Sequence, residues 1–290
     1  GIFDGQNHTI SNLTITGNNR NVGLFGFTTN GEIRNLVVEN AKVSGYLNVG
    51  VVAGTPYTSK YTNITVQGHV EVNGMAYVGG VGGKNAYANW TNVTVDVDET
   101  SYVNANSIED GTAYRTYVGG VCGFMGEGTH SFTDVTSNID VKGSTCDVGG
   151  IVGIAHYGNS FIRCASSGDI EIYAAEEQEE AQQIGGIAGV WMNSSQDVIF
   201  TDCEFTGTLK ATNAEGEEYN IITSLYGGNL VCAAYHAKAG DNKLIIDGVE
   251  YQYTAAADTA DALVEALENG GNVVFTDDIK IEPAGMSNAY

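Results

Sequence analysis

Val118-Gly119-Gly120-Val121-Cys122-Gly123 is one copy of a glycine segment that recurs along most of this chain. The other copies place glycines among β-branched residues in the same way and are Val22–Gly26, Val49–Gly54, Val78–Gly83, Val148–Gly153 and Ile184–Gly189, with a weaker copy at 226–228. The first glycines of the six clear copies lie 27 to 40 residues apart. Self-similarity at this period predicts a stacked-repeat protein, which presents long faces rather than one cleft.

Two further segments follow each glycine segment. The second segment places Asn or Asp before alternating apolar residues, as in Thr62-Asn63-Ile64-Thr65-Val66 and Thr91-Asn92-Val93-Thr94-Val95, and Ser11–Ile15 is counted as an earlier copy. The third segment is shorter, as in Val70-Glu71-Val72. Alternation of apolar and polar residues is typical of a half-buried strand.

About thirty residues with three short strands and no helix predict one turn, or coil, of a parallel β-helix. We therefore expect an all-β solenoid of about seven three-strand coils. A β-propeller blade needs about 40 residues or more, which the shortest units do not supply. The asparagines of the second segment (Asn12, Asn35, Asn63 and Asn92) suit a left-handed turn or a hydrogen-bonded side-chain ladder.

Composition excludes some partners. The net charge is −23, from 12 basic and 35 acidic residues, so nucleic acid and anionic membrane surfaces are not expected partners. The sequence contains no apolar run of membrane-spanning length. Because the chain begins inside a repeat, we expect it to be a segment of a longer protein. The five cysteines include no CxxC pair.

The repeat pattern fades after Ile246, which divides the chain into a β-helix at 1–247 and a terminal segment at 248–290. An alanine-rich stretch predicts a helix over about 255–269 that ends near Gly270, with short strands at 273–275 and 279–281. This small α/β segment is either a cap on the last coil or the start of a following domain.

The glycine segments resemble the GLUG repeat, named for a Gly-Leu-any-Gly core that Gly23-Leu24-Phe25-Gly26 matches residue for residue. The resemblance covers about residues 1–230, although later copies replace the leucine with Gly or Val. It implies a right-handed parallel β-helix in a secreted or surface-anchored, adhesin-like bacterial protein. The motif is structural, so it carries no catalytic residue with it.

Two groups of residues are candidate sites. Aromatic residues follow the glycine segments, where they either shield the core or form a strip for sugar rings; they are Tyr57, Tyr87, Trp90, Phe124, Tyr157 and Trp191. Insertions at 101–116, 174–183 and 211–220 interrupt the period between the third segment and the next glycine segment. Glu176, Glu177, Glu179 and Glu180 in the second insertion are either a solvated acidic loop or a Ca²⁺ site.

The sequence favours a non-catalytic extracellular module of a bacterial surface or secreted protein. It would act as a stalk or binding surface for a glycan or for a protein of a host or neighbouring cell. One alternative is a polysaccharide-degrading enzyme or its carbohydrate-binding accessory, for which Asp134, Asp140, Asp169 and Asp202 are the available carboxylates. A second alternative is the subunit of a head-to-tail filament, formed through open solenoid ends.

Overall fold

The computed structural model describes most of the repeat region and short pieces of the terminal segment. The described residues are 1–106, 116–126, 128–144, 147–156, 158–173, 184–191, 197–212, 232–235, 244–251, 254–257 and 272–275. Every regular element within these ranges is a β-strand.

The strands are numbered in chain order. The first half comprises β1 (Ile2–Ile15), β2 (Arg20–Val22), β3 (Phe25–Thr29), β4 (Glu32–Ser44), β5 (Leu47–Gly50), β6 (Ala53–Tyr57), β7 (Lys60–Gly74), β8 (Val78–Gly79), β9 (Gly82–Asn85), β10 (Asn89–Val97), β11 (Tyr102–Ala105), β12 (Tyr117–Gly119), β13 (Cys122–Met125), β14 (His130–Ser137) and β15 (Asp140–Ser144). The second half comprises β16 (Asp147–Gly149), β17 (Val152–His156), β18 (Asn159–Ile162), β19 (Ala165–Ser166), β20 (Ile170–Tyr173), β21 (Ile184–Gly185), β22 (Ala188–Trp191), β23 (Val198–Thr201), β24 (Glu204–Phe205), β25 (Leu209–Thr212), β26 (Cys232–Tyr235), β27 (Leu244–Ile246), β28 (Val249–Tyr251), β29 (Thr254–Ala257) and β30 (Asn272–Phe275).

Equivalent strands of successive coils pair in parallel, as the repeat predicts for a β-solenoid. The second segments stack in the order β1-β4-β7-β10-β14-β18-β23-β27. The third segments continue the same sheet through β11, β15, β20 and β25. The glycine segments form two further parallel sheets, β2-β5-β8-β12-β16-β21 and β3-β6-β9-β13-β17-β22-β26. Each glycine segment bends and supplies two strands. Where the second and third segments form one continuous strand, as in β4 and β7, a coil has the predicted three strands, and where they separate, as in β10 and β11, it has four.

Glycine is needed at this bend because the two halves of the segment bring backbones of different sheets into contact. A Cβ atom on Gly83 of β9 would lie 2.5 Å from the backbone carbon of Asn48 and the backbone nitrogen of Val49, in the strand β5 of the preceding coil. Gly123 meets Val78 in the same way one coil later. No side chain fits between backbones at this separation.

The core contains a ladder of aromatic rings contributed by one position of the second segment. Neighbouring ring centroids are 4.2, 5.8, 5.5 and 4.7 Å apart and the rings are near parallel, from Tyr61 through Trp90, Phe132 and Phe161 to Phe200. All five side chains are fully buried. The hydroxyl group of Tyr61 lies 2.6 Å from Thr28 Oγ1, so its polar end is satisfied. Such stacking adds to the apolar burial that holds consecutive coils together.

The asparagine ladder expected from the sequence is present at the start of the second segments. Asn35, Asn63 and Asn92 have left-handed backbones, with φ of 52°, 55° and 53°. Asn63 Nδ2 donates to Asn35 Oδ1 at 2.9 Å, and Asn92 Nδ2 donates to Asn63 Oδ1 at 2.9 Å. The placement of Asn12 in this ladder was wrong, because Ser11 pairs with Glu39, which sets Asn12 level with Asn40 in the turn before the third segment.

Two details of the expected boundaries are corrected by the strands. Tyr102–Ala105 is a regular third-segment strand, paired with β7 and β15, so the first insertion does not begin at 101. Thr254–Ala257 forms β29, which pairs in parallel with β30, so a helix does not begin at 255. Residues 258–271 and 276–290 lie outside the described part, and the expected strand at 279–281 falls there.

The parallel stack of second segments is followed by an antiparallel strand. Asp247 and Gly248 have φ of 49° and 77° and turn the chain, so that β28 pairs back on β27. The largest sheet thus extends a few residues beyond 247. The division of the chain at 247 and 248 into two domains stays a prediction.

Candidate ligand-binding surface

Three aromatic rings form an exposed row across successive coils, called here the aromatic row: Phe27, Tyr57 and Tyr87. Their side chains are 54%, 39% and 38% exposed. The Phe27 and Tyr57 ring centroids are 6.0 Å apart at an interplanar angle of 21°, and those of Tyr57 and Tyr87 are 5.8 Å apart at 79°. The structure therefore brings together two of the aromatic residues that the sequence pointed to.

The row lies where the third sheet ends in a turn. Phe27 is in β3, Tyr57 is the last residue of β6, and Tyr87 follows β9. Thr29 pairs with Tyr57, and Tyr57 bridges to Ala86, the residue before Tyr87. The three rings therefore lie on neighbouring coils. Phe27 directly follows the first glycine segment, the same rule that selected the other aromatic residues, so the sequence contained the signal for it.

Backbone and core atoms hold Tyr87 in place. Its φ is 61°, a left-handed conformation that is uncommon for a bulky side chain. A Cβ atom on Gly128 would collide with the Tyr87 ring, so only a glycine permits this approach. The ring of buried His130 lies 5.8 Å from that of Tyr87, and His130 Nε2 lies 3.1 Å from the Gly126 carbonyl oxygen. The exposed ring of Tyr87 is thus held in place by its contacts with Gly128 and His130.

Uncharged polar groups lie beside the rings. Thr58, next to Tyr57, has φ of 45°, and its Oγ1 accepts a hydrogen bond from the Asn30 backbone N–H at 3.2 Å. Asn30 Nδ2 donates to Thr29 Oγ1 at 3.3 Å. Apolar ring surface flanked by hydroxyl and amide groups suits a ligand that has both apolar faces and hydroxyl groups.

Trp90 does not belong to this surface, which corrects the sequence-based prediction. Its side chain is fully buried between Tyr61 and Phe132 in the core ladder. The register explains the error, because Trp90 pairs with Tyr61 and therefore occupies an inward position of the second segment.

Phe124 belongs to a different cluster of rings. Its centroid lies 5.3 Å from that of Tyr77 and 5.1 Å from that of Tyr117. Lys84 Nζ lies 5.1 Å from the Tyr77 centroid and 5.7 Å from that of Phe124. The cation covers this group, and Tyr117 is only 6% exposed, so the cluster stabilises its own corner rather than extending the row.

The remaining predicted residues lie wholly or partly outside the described part. Tyr157, Glu176, Glu177, Glu179 and Glu180 are not among the described residues, so the calcium prediction stays untested. Trp191 ends β22 and pairs with His156 and with Tyr235, and only its backbone is described. Its place in a strip with Tyr57 stays a prediction.

Of the four carboxylates considered for catalysis, those of Asp134, Asp140 and Asp169 accept hydrogen bonds that join coils, whereas Asp202 does so through its backbone. Arg163 donates to both oxygens of Asp134, at 2.6 and 2.8 Å, and these hydrogen bonds lower the pKa of Asp134. Asp140 accepts from the Asp169 backbone N–H at 2.9 Å, and Asp169 accepts from Thr208. The Asp202 N–H donates to the next coil, to Oδ1 of Asp247, at 2.8 Å.

A network of charged groups covers the turn before the third segment. His69 Nε2 lies 3.1 Å from Glu71 Oε1, and its Nδ1 lies 3.2 Å from Asp98 Oδ2. Because both ring nitrogens face carboxylates, hydrogen bonds to Glu71 and then Asp98 raise the pKa of His69. Thr100 donates to Asp98, and this contact chiefly lowers the pKa of Asp98 to about 2. Lys42 completes the network at 2.7 Å from Glu71.

Neither a membrane-spanning helix nor a metal site is present in the described ranges. No helix there is long and apolar enough to cross a membrane. No three His, Cys, Asp or Glu side chains of these ranges converge as metal ligands.

The fold and this surface define a parallel β-solenoid that carries a row of exposed aromatic rings. No family model matches the chain. Over 75 residues, 25% of the chain, it is 44% identical to halomucin from Haloquadratum walsbyi, and the match spans 1% of that protein's length. A solved structure, a "putative immunoglobulin A1 protease" from Bacteroides ovatus, aligns with 96% of the chain and 68% of its own at 16% identity and a TM-score of 0.46.

Proposed function

We propose that this chain is a non-catalytic extracellular binding module whose aromatic row holds a glycan. The observation that carries the proposal is the contiguous exposure of Phe27, Tyr57 and Tyr87 on a rigid scaffold. Aromatic residues are large contact groups that lose little conformational entropy on binding, so a fixed row of them is suited to be a preformed binding surface. The likeness of a quarter of the chain to halomucin supports a place at the cell surface or outside the cell.

The engaged carboxylates favour a module over an enzyme. A glycosidase needs two carboxylates free to meet a sugar at a fixed separation. Asp134, Asp140 and Asp169 instead accept hydrogen bonds from neighbouring coils, so their oxygens already link one coil to the next. A polysaccharide-degrading activity, an adhesin-like role for the parent protein and the GLUG resemblance all stay predictions, as does Ca²⁺ at 176–180.

Self-association is a separate prediction, and one observation weighs on its form. β28 occupies the edge of β27 in an antiparallel sense, so a new coil cannot add there by the parallel pairing used elsewhere. A head-to-tail filament would have to pair through another edge strand, such as β21, β25 or β26. Sedimentation at increasing protein concentration would test whether assembly occurs.

The test of the glycan proposal is binding to an oligosaccharide array, followed by an assay for turnover of each bound sugar. We expect binding that is weakened about tenfold in Tyr57→Ala and unchanged in Tyr102→Ala, which removes a half-buried tyrosine on β11 and serves as the matched control. Unchanged binding in Tyr57→Ala would remove the row from the proposal. Release of shorter sugars, abolished by Asp134→Asn, would replace the module with an enzyme.

A further inference from the structure

We infer that the aromatic row selects uncharged glycan chains that extend along the solenoid across several coils. This inference rests on the proposed function and names the class of ligand. It is carried by three features of the described residues: the direction of the row, the neutrality of its neighbours and the engagement of the basic side chains.

The direction of the row follows from the strand stacking. Phe27, Tyr57 and Tyr87 come from three consecutive coils, and their centroids are separated by steps of 6.0 and 5.8 Å. Neighbouring strands of a sheet are about 4.8 Å apart, so each ring lies one coil further along the stack. The register also shifts the rings along the strands, because Tyr57 pairs with Thr29, two residues after Phe27, and bridges to Ala86, the residue before Tyr87, so the row crosses the coils diagonally. A ligand that contacts all three rings must extend in this direction and must present repeated apolar faces. A chain of sugar rings meets both conditions, whereas one monosaccharide reaches only part of the row.

The neighbours of the row supply hydroxyl and amide groups. Thr29, Asn30 and Thr58 are polar residues of the described part that lie beside the rings in the register. These groups donate to and accept from sugar hydroxyls without a net charge. They offer no charge-assisted hydrogen bond to a carboxylate or a sulfate group. On an anionic glycan these groups would therefore be desolvated without gaining a partner.

Nearly all basic side chains of the described ranges are already engaged. Arg34 and Arg163 bind carboxylates, Lys42 and Lys142 lie near Glu71 and Glu171, and Lys84 lies over aromatic rings. Arg20 lies over Tyr46, and Lys210 also has a partner. Lys60 is the remaining described basic side chain; it pairs in register with Glu32, whose carboxylate lies 3.3 Å from Arg34, so Lys60 is a single cation and not part of a cluster. Since the whole chain carries a charge of −23, an anionic glycan would meet repulsion that no free cluster of cations in the described ranges offsets.

The experiment is an array that carries uncharged and anionic oligosaccharides of one to six sugar units, followed by calorimetry on the strongest ligand. We expect uncharged oligosaccharides to bind, with affinity rising from one unit to several. The Kd should change by less than about twofold between about 50 mM and about 500 mM NaCl, because no ion pair forms. Phe27→Ala and Tyr57→Ala should each weaken binding by about tenfold. Lys60→Ala, the matched charge control, should leave it within about twofold.

The outcomes separate the inference from the proposal beneath it. Preference for uronic-acid or sulfated oligosaccharides, weakened by salt or by Lys60→Ala, would overturn the uncharged class and leave glycan binding standing. Equal affinity for one sugar unit and six would overturn the extended mode. An array without any bound glycan would overturn the proposed function itself. Circular dichroism spectra and melting curves of each variant confirm that a lost signal is not lost folding, and Phe27 is over half exposed, so its removal leaves the core intact.

Discussion

Replacing Trp90 by alanine separates the core ladder from the binding surface. The side chain is fully buried, and an aromatic ring of this size buries roughly 200 Å². At about 25 cal/mol per Å², its removal costs roughly 5 kcal/mol. Part of this is offset, because Trp90 Nε1 is buried without a hydrogen-bond partner among the described residues, and an unpaired donor costs about 1–3 kcal/mol. The net loss is about 3 kcal/mol, within the range known for such truncations.

The assay is urea unfolding of Trp90→Ala and Tyr57→Ala, followed by far-ultraviolet circular dichroism. We expect the midpoint to fall strongly for Trp90→Ala, whereas the partly exposed Tyr57 should change the free energy of unfolding by less than about 1 kcal/mol. Glycan binding should show the opposite order when both proteins are folded. Because coils can unfold in stages, the slope of the transition must be compared as well as its midpoint. A stability of Trp90→Ala within about 1 kcal/mol of the parent would refute the inward placement of this ring.

Other predictions test the elements that join the coils. Asn63→Ala should cost about 2 kcal/mol, from a left-handed backbone and lost ladder bonds, and Asn63→Gly should cost less because glycine accepts that backbone; equal losses would contradict the backbone term. Gly83→Ala should cost about 3 kcal/mol or prevent folding, and an unchanged melting temperature would contradict the backbone contact with Val49. The pKa of Asp98 is lowered, so its stabilisation should be complete above pH 3.8 and lost as the pH falls toward about 2, and Asp98→Asn should remove this acid limb from urea midpoints. The pKa of His69 is raised, so its contribution should be present below pH 6.5 and lost as the pH rises through the raised value, and a flat midpoint between pH 5 and 8 would contradict the network.

Much of the architecture could be predicted because each structural position of the coil occurs several times in the sequence. Parallel pairing, the buried valines and the left-handed asparagines all follow from a unit that recurs in register. The two-strand bend in the glycine segment could not be predicted in the same way. Its cause is a contact between the backbone of Gly83 and that of Asn48 in another sheet, which no pattern within one segment reveals.

The aromatic residues show where local reasoning failed. The rule that aromatic residues follow the glycine segments groups Trp90 with Tyr87, yet one is buried and the other 38% exposed. The signal that separates them is the spacing to the ladder: Tyr61, Trp90 and Phe132 each stand two residues before the Asn or Asp of a second segment. Reading that column across coils, rather than reading along one coil, would have placed Trp90 in the core.

Two corners of the coil share a left-handed backbone, and their contents differ in a way that supports a functional row. At the first corner, hydrogen bonds from coil to coil offset the cost of the left-handed backbone; the residues that make them are Asn35, Asn63 and Asn92.

At the second corner the equivalent positions are Asn30, Thr58 and Tyr87, with φ of 49°, 45° and 61°. A β-branched and an aromatic residue are poor choices for this backbone, and glycine or asparagine would be less strained. Strain of this kind persists where the surroundings enforce it, and it clusters at binding sites. The scaffold tolerates it here while holding the Tyr87 ring exposed beside Tyr57, a placement that folding alone does not require and that a ligand for the row explains.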